Sequence, residues 1–124
     1  MMPRLAYCLF VLLLLAACGG GGAGDPAATV ERYLTAKVGS ERDTVRALLC
    51  SELEANLEME AGAFASVSEA RIEGLACTRD GDSDRVTCAG TILATYGTEA
   101  TEFPLGAYRV VQEDGEWKWC GETQ

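Results

Sequence analysis

Residues 67–96 read VSEARIEGLACTRDGDSDRVTCAGTILATY. From Arg85 to Tyr96 one series of alternate positions holds Val86, Cys88, Gly90, Ile92, Ala94 and Tyr96, with threonines mostly between them. A period of two marks a strand with one buried face. Val67 to Thr78 also alternates, and its phase shifts at Gly74, which predicts a β-bulge. Gly81-Asp82-Ser83-Asp84 between the two runs consists of turn residues. A turn of that length sets Cys77 directly opposite Cys88. This antiparallel hairpin decides the fold class, because helical spacing lies on one side of it in the chain and strand spacing on the other.

Toward the C-terminus, Glu99 to Gln112 reads as a third strand broken near Pro104. Asp114-Gly115 is a hairpin signal, and Trp117-Lys118-Trp119-Cys120 is the last strand. Toward the N-terminus, Asp25-Pro26 opens a helix, with Asp as cap and Pro in the first turn. Val30, Tyr33, Leu34 and Val38 follow at helical spacing, and Gly39 stops it. Ser40 with Asp43 resembles a capping box for a second helix that buries Val45, Leu48 and Leu49. Ser51 with Glu54 forms another, opening a third helix with Leu53, Leu57, Ala61 and Phe64 on one face. Glu52, Glu54, Glu58 and Glu60 read as its solvated side. Helices first and strands after predict an α+β domain. Three N-terminal helices pack on one face of a four-stranded curved antiparallel sheet.

The first residues read as an address. Arg4 precedes an uncharged run from Leu5 to Ala17, too short to span a bilayer and of signal-peptide length. Leu15-Ala16-Ala17-Cys18 resembles a bacterial lipobox, which implies cleavage before Cys18 and acylation of its thiol. Residues 1–17 are then a lipoprotein signal peptide, 18–24 a lipidated cysteine with a glycine-rich tether, and 25–124 the domain. More than one acyl chain gives stable anchoring. Gly19 after the cysteine resembles outer-membrane lipoproteins, if the host has an outer membrane. Otherwise the protein sits on the outer face of the cell membrane.

The 124 residues carry 19 acidic and 10 basic side chains, six cysteines and no histidine. The excess of acid argues against nucleic-acid binding, which needs a basic face. Without histidine there is no histidine metal site and no Ser-His-Asp triad. Cys8 leaves with the signal and Cys18 takes lipid, so Cys50, Cys77, Cys88 and Cys120 remain, with three possible pairings. The hairpin register selects Cys77–Cys88, which leaves Cys50–Cys120. Strict alternation places Cys120 on the face opposite Trp117 and Trp119, so the second bridge needs a twist or bulge near the strand end. None of the four stands in the close C-x2-C pairs usual for zinc or redox sites. Asp80-x-Asp82-x-Asp84 begins like a calcium loop, but Arg85 stands where glycine is required and Thr91 where glutamate is. No metal or cofactor is expected.

Val30-Glu31-Arg32-Tyr33-Leu34-Thr35-Ala36, then Gly39, then Val45-Arg46-Ala47-Leu48-Leu49, resembles the opening of nuclear-transport-factor-2-like domains, which share the cystatin-like fold. Gly115-Glu116-Trp117-Lys118-Trp119-Cys120 resembles their closing strand. The family includes ketosteroid isomerase, polyketide cyclases and many small bacterial lipoproteins. The resemblance implies a pocket between helices and concave sheet, with Tyr33, Phe64, Tyr96, Tyr108, Trp117 and Trp119 as candidate lining residues that either line an open pocket or simply fill it as core. Tyr33 falls where ketosteroid isomerases carry an oxyanion-stabilising tyrosine, and it is the one weak catalytic candidate. No Asp or Glu matches the family base, and Ser51 to Phe64 reads as helix where the enzymes have a short strand. The expected function is therefore a non-catalytic binding or structural module, held at a membrane by its N-terminal lipid, with a partner protein or a small apolar ligand. An isomerase-like or cyclase-like enzyme is the alternative.

Overall fold

The structure is a computed structural model and describes residues 24–124. The signal-like run, Cys8 and Cys18 lie outside the described residues. Helix α1 spans Pro26–Val38, and the Asp25 side chain accepts from the Ala27 N–H at 3.0 Å. Helix α2 spans Arg42–Leu48, a 3-10 turn spans Ser51–Asn56, and α3 spans Leu57–Gly62. The strands are β1 Glu69–Arg79, β2 Arg85–Tyr96, β3 Glu99–Pro104, β4 Ala107–Glu113 and β5 Glu116–Thr123.

The sheet is antiparallel, in the order β1-β2-β4-β5, and β3 also pairs with β2. It has five strands where four were expected. Pro104 has no N–H to donate, and the chain bends before resuming the same edge of β2. Leu105 N–H reaches Gly90 O, and Cys88 N–H reaches Gly106 O, so β3 and β4 follow one another along β2. The sheet remains four strands wide.

Cys77 pairs directly with Cys88, and the ladder slips between Glu73 and Ala76. Gly74 and Leu75 thus face Gly90 alone. Gly90 has φ +122, and a Cβ there would lie 2.9 Å from Glu73 O, so the bulge requires glycine. Asp114 and Gly115 both take positive φ, as a two-residue hairpin of the primed type needs.

The caps differ from expectation. Ser40, at φ +55, takes the left-handed position after α1 that Gly39 was expected to fill. Helix α2 then starts at Arg42, without a side-chain cap. Ser51 caps nothing. Its N–H and its hydroxyl both donate to the Glu113 carboxylate, at 2.9 and 3.0 Å. The preceding Cys50 N–H is bound to Trp119 O, which fixes the chain against β5 and starts the segment as a 3-10 turn.

Both disulfides, Cys50–Cys120 and Cys77–Cys88, are present. Cys120 does face away from Trp119, beside Arg109, whose Nη1 lies 3.9 Å from its Sγ. Leu49 bridges to Trp119 in parallel along the outer edge of β5, and this brings Cys50 around that edge to Cys120. A bulge lies at the same point, with Cys120 and Gly121 together facing Arg109.

Helix α1 lies across the inner face of the sheet. Val30, Tyr33, Val45, Val86 and Val110 are fully buried between the layers. Val45 and Leu48 form the buried face of α2 as expected, Leu49 is buried just past its end where it bridges to β5, and Ala61 is the buried apolar residue of α3 on the expected face.

Candidate functional site

Tyr33 is completely buried, and its hydroxyl donates to Glu60 Oε2 at 2.6 Å. Lys37 Nζ, one turn further along α1, reaches the same oxygen at 2.8 Å. Glu60 is only 9% exposed, so the acidic run on the third helix is not wholly solvated. Its last member turns inward because Ala61 packs against the core and carries Glu60 to the rim of α1. A carboxylate so placed needs both partners, since burying an unpaired charge costs several kcal/mol.

The Tyr33 ring stacks on Trp119, with centroids 4.1 Å apart and planes 9° from parallel. Trp119 is 3% exposed, and its indole N–H, buried, has no hydrogen-bond partner among the described residues. Burial pushes the Tyr33 phenol far above its usual range, and the hydrogen bond to Glu60 and its charge push the same way. An acid whose folded pKa lies above its unfolded value of about 10 stabilises the fold fully below that value. The contribution declines as pH rises beyond it. We therefore expect stability to fall above pH ~10, and the alkaline decline to flatten in Tyr33→Phe. Chemical denaturation across that range checks it, and an unchanged decline in the variant contradicts it.

In front of Trp119 lies a cavity of about 210 Å³. Its helical wall is Leu34 and Lys37 of α1 with Ala63 and Phe64 at the end of α3. Its sheet wall is Ile92, Phe103, Tyr108, Trp119 and Glu122. Phe64 and Phe103 meet edge to face, with centroids 6.3 Å apart. A smaller cavity of about 140 Å³ adjoins it and shares Tyr108 and Glu122. Tyr108 accepts from Gly106 N–H at 3.4 Å. Burial raises its pKa, the Gly106 hydrogen bond opposes this, and the nearby Glu122 charge adds to the rise.

Of the candidate aromatic residues, Phe64, Tyr108 and Trp119 border this cavity. Tyr33 does not, because Trp119 stands between it and the opening. Tyr96 sits at the end of β2 and is 44% exposed. Trp117 lies two residues nearer the β4–β5 turn, half-buried beneath the Arg79 guanidinium at 4.9 Å. Phe103, Leu34, Ile92, Lys37 and Glu122 were not anticipated. The two-residue turn at Gly97-Thr98 pairs Phe103 with Ile92 and puts both on the inner face. That turn was the available signal for Phe103.

Two other hollows are less suited to a ligand. One of about 260 Å³ follows the outer edge of β5, around Cys50 and Ser51. Its ionic groups are largely engaged: Glu113 with Ser51, Lys118 with Ala47 O and Glu116. Another, of about 340 Å³, lies between the end of α1 and β1 at Val38, Ile72 and Leu75, and no aromatic ring lines it. Aromatic side chains offer the largest apolar contact per residue, and four of them line the cavity before Trp119.

Comparison with solved structures finds an NTF2-like protein of unknown function in nutrient uptake from Rhodospirillum rubrum ATCC 11170. It is 18% identical, with a TM-score of 0.51, covering 79% of this chain and 95% of that one. The fold is NTF2-like. No family model matches the chain, and no curated protein does. The Trp119 cavity lies between the helices and the sheet. Tyr33 lies behind its wall.

Proposed function

We propose that this chain is a lipid-anchored, extracytoplasmic, non-catalytic binding module of the bacterial cell envelope. It holds a small apolar ligand in the cavity in front of Trp119. The observation that carries the binding part is the cavity itself, with Phe64, Phe103, Tyr108 and Trp119 around about 210 Å³. Binding sites are concave, mostly apolar and furnished with a few polar groups, and Lys37 and Glu122 are those groups here. The non-catalytic part is supported by Tyr33, whose proton is committed to Glu60 and whose ring is covered by Trp119. The anchoring part is supported by the lipobox-like Leu15-Ala16-Ala17-Cys18 and the glycine tether behind it. The site of anchoring is the outer membrane where the host has one, and otherwise the outer face of the cell membrane.

Two measurements test it. Cys18→Ser should move the protein from the membrane fraction to the soluble or secreted fraction, and retention on membranes refutes the anchor. Ala63 is exposed at the cavity wall, so Ala63→Phe should fill the cavity without disturbing the core. The intrinsic tryptophan fluorescence of the wild type should respond saturably to 2-phenylethanol, and that of Ala63→Phe should respond at least tenfold more weakly. An equal response in both places binding elsewhere.

A further inference from the structure

The charges around the cavity decide what kind of ligand suits it. Lys37 is already neutralised. Its ammonium is bound to Glu60 Oε2 at 2.8 Å and sits 5.8 Å from the Trp119 ring centre. Glu122 is different, because among the described residues no cation comes within ion-pair distance of it. It is paired across the ladder with Tyr108, and both side chains border the cavity. The local balance of Lys37, Glu60 and Glu122 is therefore one negative charge.

The walls reinforce that sign. Phe64, Phe103 and Tyr108 border the cavity too, and aromatic rings attract cations. The chain as a whole carries a formal charge of −9. Its field concentrates cations and repels anions near the surface. A volume near 210 Å³ corresponds to about seven waters at roughly 30 Å³ each. It is smaller than the 300–1,000 Å³ usual for drug-sized ligands. It suits a compact molecule better than a drug-sized one.

We infer that the cavity before Trp119 selects small organic cations, a compact apolar body bearing a protonated amine, with the ammonium held by Glu122 and the body packed among Phe64, Phe103 and Ile92. This rests on the binding reading above and gives it a ligand class. Glu122 is exposed, so its ion pair is screened by salt. The selectivity over a neutral molecule of the same shape is about tenfold at low ionic strength, and it shrinks as salt is added.

The test compares three probes on the purified full-length protein by calorimetry and Trp fluorescence: phenethylamine, 2-phenylethanol and phenylacetate. The expected order is phenethylamine about tenfold tighter than 2-phenylethanol, with phenylacetate weakest. Glu122→Gln should cut the amine preference severalfold, to what the rings and the net charge still supply, and leave the alcohol unchanged. Equal binding of amine and alcohol overturns the cation inference while the binding reading stands. So does preference for phenylacetate, which would mean that Lys37 governs. An amine preference undiminished in Glu122→Gln removes the assigned cause and overturns it too. No binding of any probe overturns both the inference and the binding reading.

Discussion

The double variant Cys50→Ala/Cys120→Ala unfolds about 15–25 °C below the wild type, a larger loss than removal of the other disulfide causes. The bond spans 70 residues of sequence. Closing a loop of that length removes denatured-state entropy worth about 4 kcal/mol in the chain-entropy account. It also joins the helical half to the last strand. Cys50 N–H is bound to Trp119 O and Ser51 to Glu113, so the residues on either side of the bridge lean on β4 and β5. The pair Cys77→Ala/Cys88→Ala should lose clearly less. Its loop spans 11 residues, which sets an upper figure of about 3 kcal/mol. Thermal unfolding of both variants under non-reducing conditions decides the matter. Equal losses would mean that the other contacts alone hold the helices to the sheet.

Trp119→Ala should cost about 3–5 kcal/mol, as deletion of a large aromatic from a packed core does. The indole covers Tyr33 on one side and meets Tyr108 at a centroid distance of 6.2 Å. Its removal also opens the floor of the cavity onto the Tyr33–Glu60–Lys37 cluster. Trp119→Phe should cost far less. It keeps a ring on Tyr33, and it deletes an indole N–H that is buried without a partner and costs about 1–3 kcal/mol where it stands. Urea denaturation of the two variants separates the effects. If Phe were as damaging as Ala, the N–H would have a role that these contacts do not show.

The hairpin at the centre of the fold was legible because its physics is local. A turn of fixed length sets the pairing, so Cys77 opposite Cys88 follows from counting. Gly74 was legible as a bulge because the apolar phase shifts there. Pro104 marked a break, but not whether the two halves stay on one edge of β2. That depends on Leu105 and Gly106 keeping their hydrogen bonds to Gly90 and Cys88. Ser51 with Glu54 has the form of a capping box, yet Glu113, 62 residues away, takes both donors. A tertiary contact outweighed a local motif.

The site was less legible than the fold. Its aromatic residues were recognisable as a class, but their places depend on register. Tyr96 continues the buried series of β2 and still emerges, because the strand runs past the layer that covers it. Phe103 lies across from Ile92 only through the turn at Gly97-Thr98. Glu60 looked like one of four solvated acids on a helix. Nothing in its spacing foretold that Tyr33 and Lys37 would both reach it, since that meeting joins two helices far apart in the chain.

On the reading proposed above, the working surface is the cavity in front of Trp119, with Tyr33 a structural residue behind it. Two-dimensional NMR during titration with 2-phenylethanol tests this most directly. Concentration-dependent shifts are expected at the methyls of Leu34, Ala63 and Ile92 and at the Trp119 indole. The methyls of Ile72 and Leu75, at the other apolar hollow, should stay in place, and Tyr33→Phe should leave the pattern and the affinity unchanged. Shifts confined to Ile72 and Leu75, or loss of binding in Tyr33→Phe with the fold intact, would contradict it.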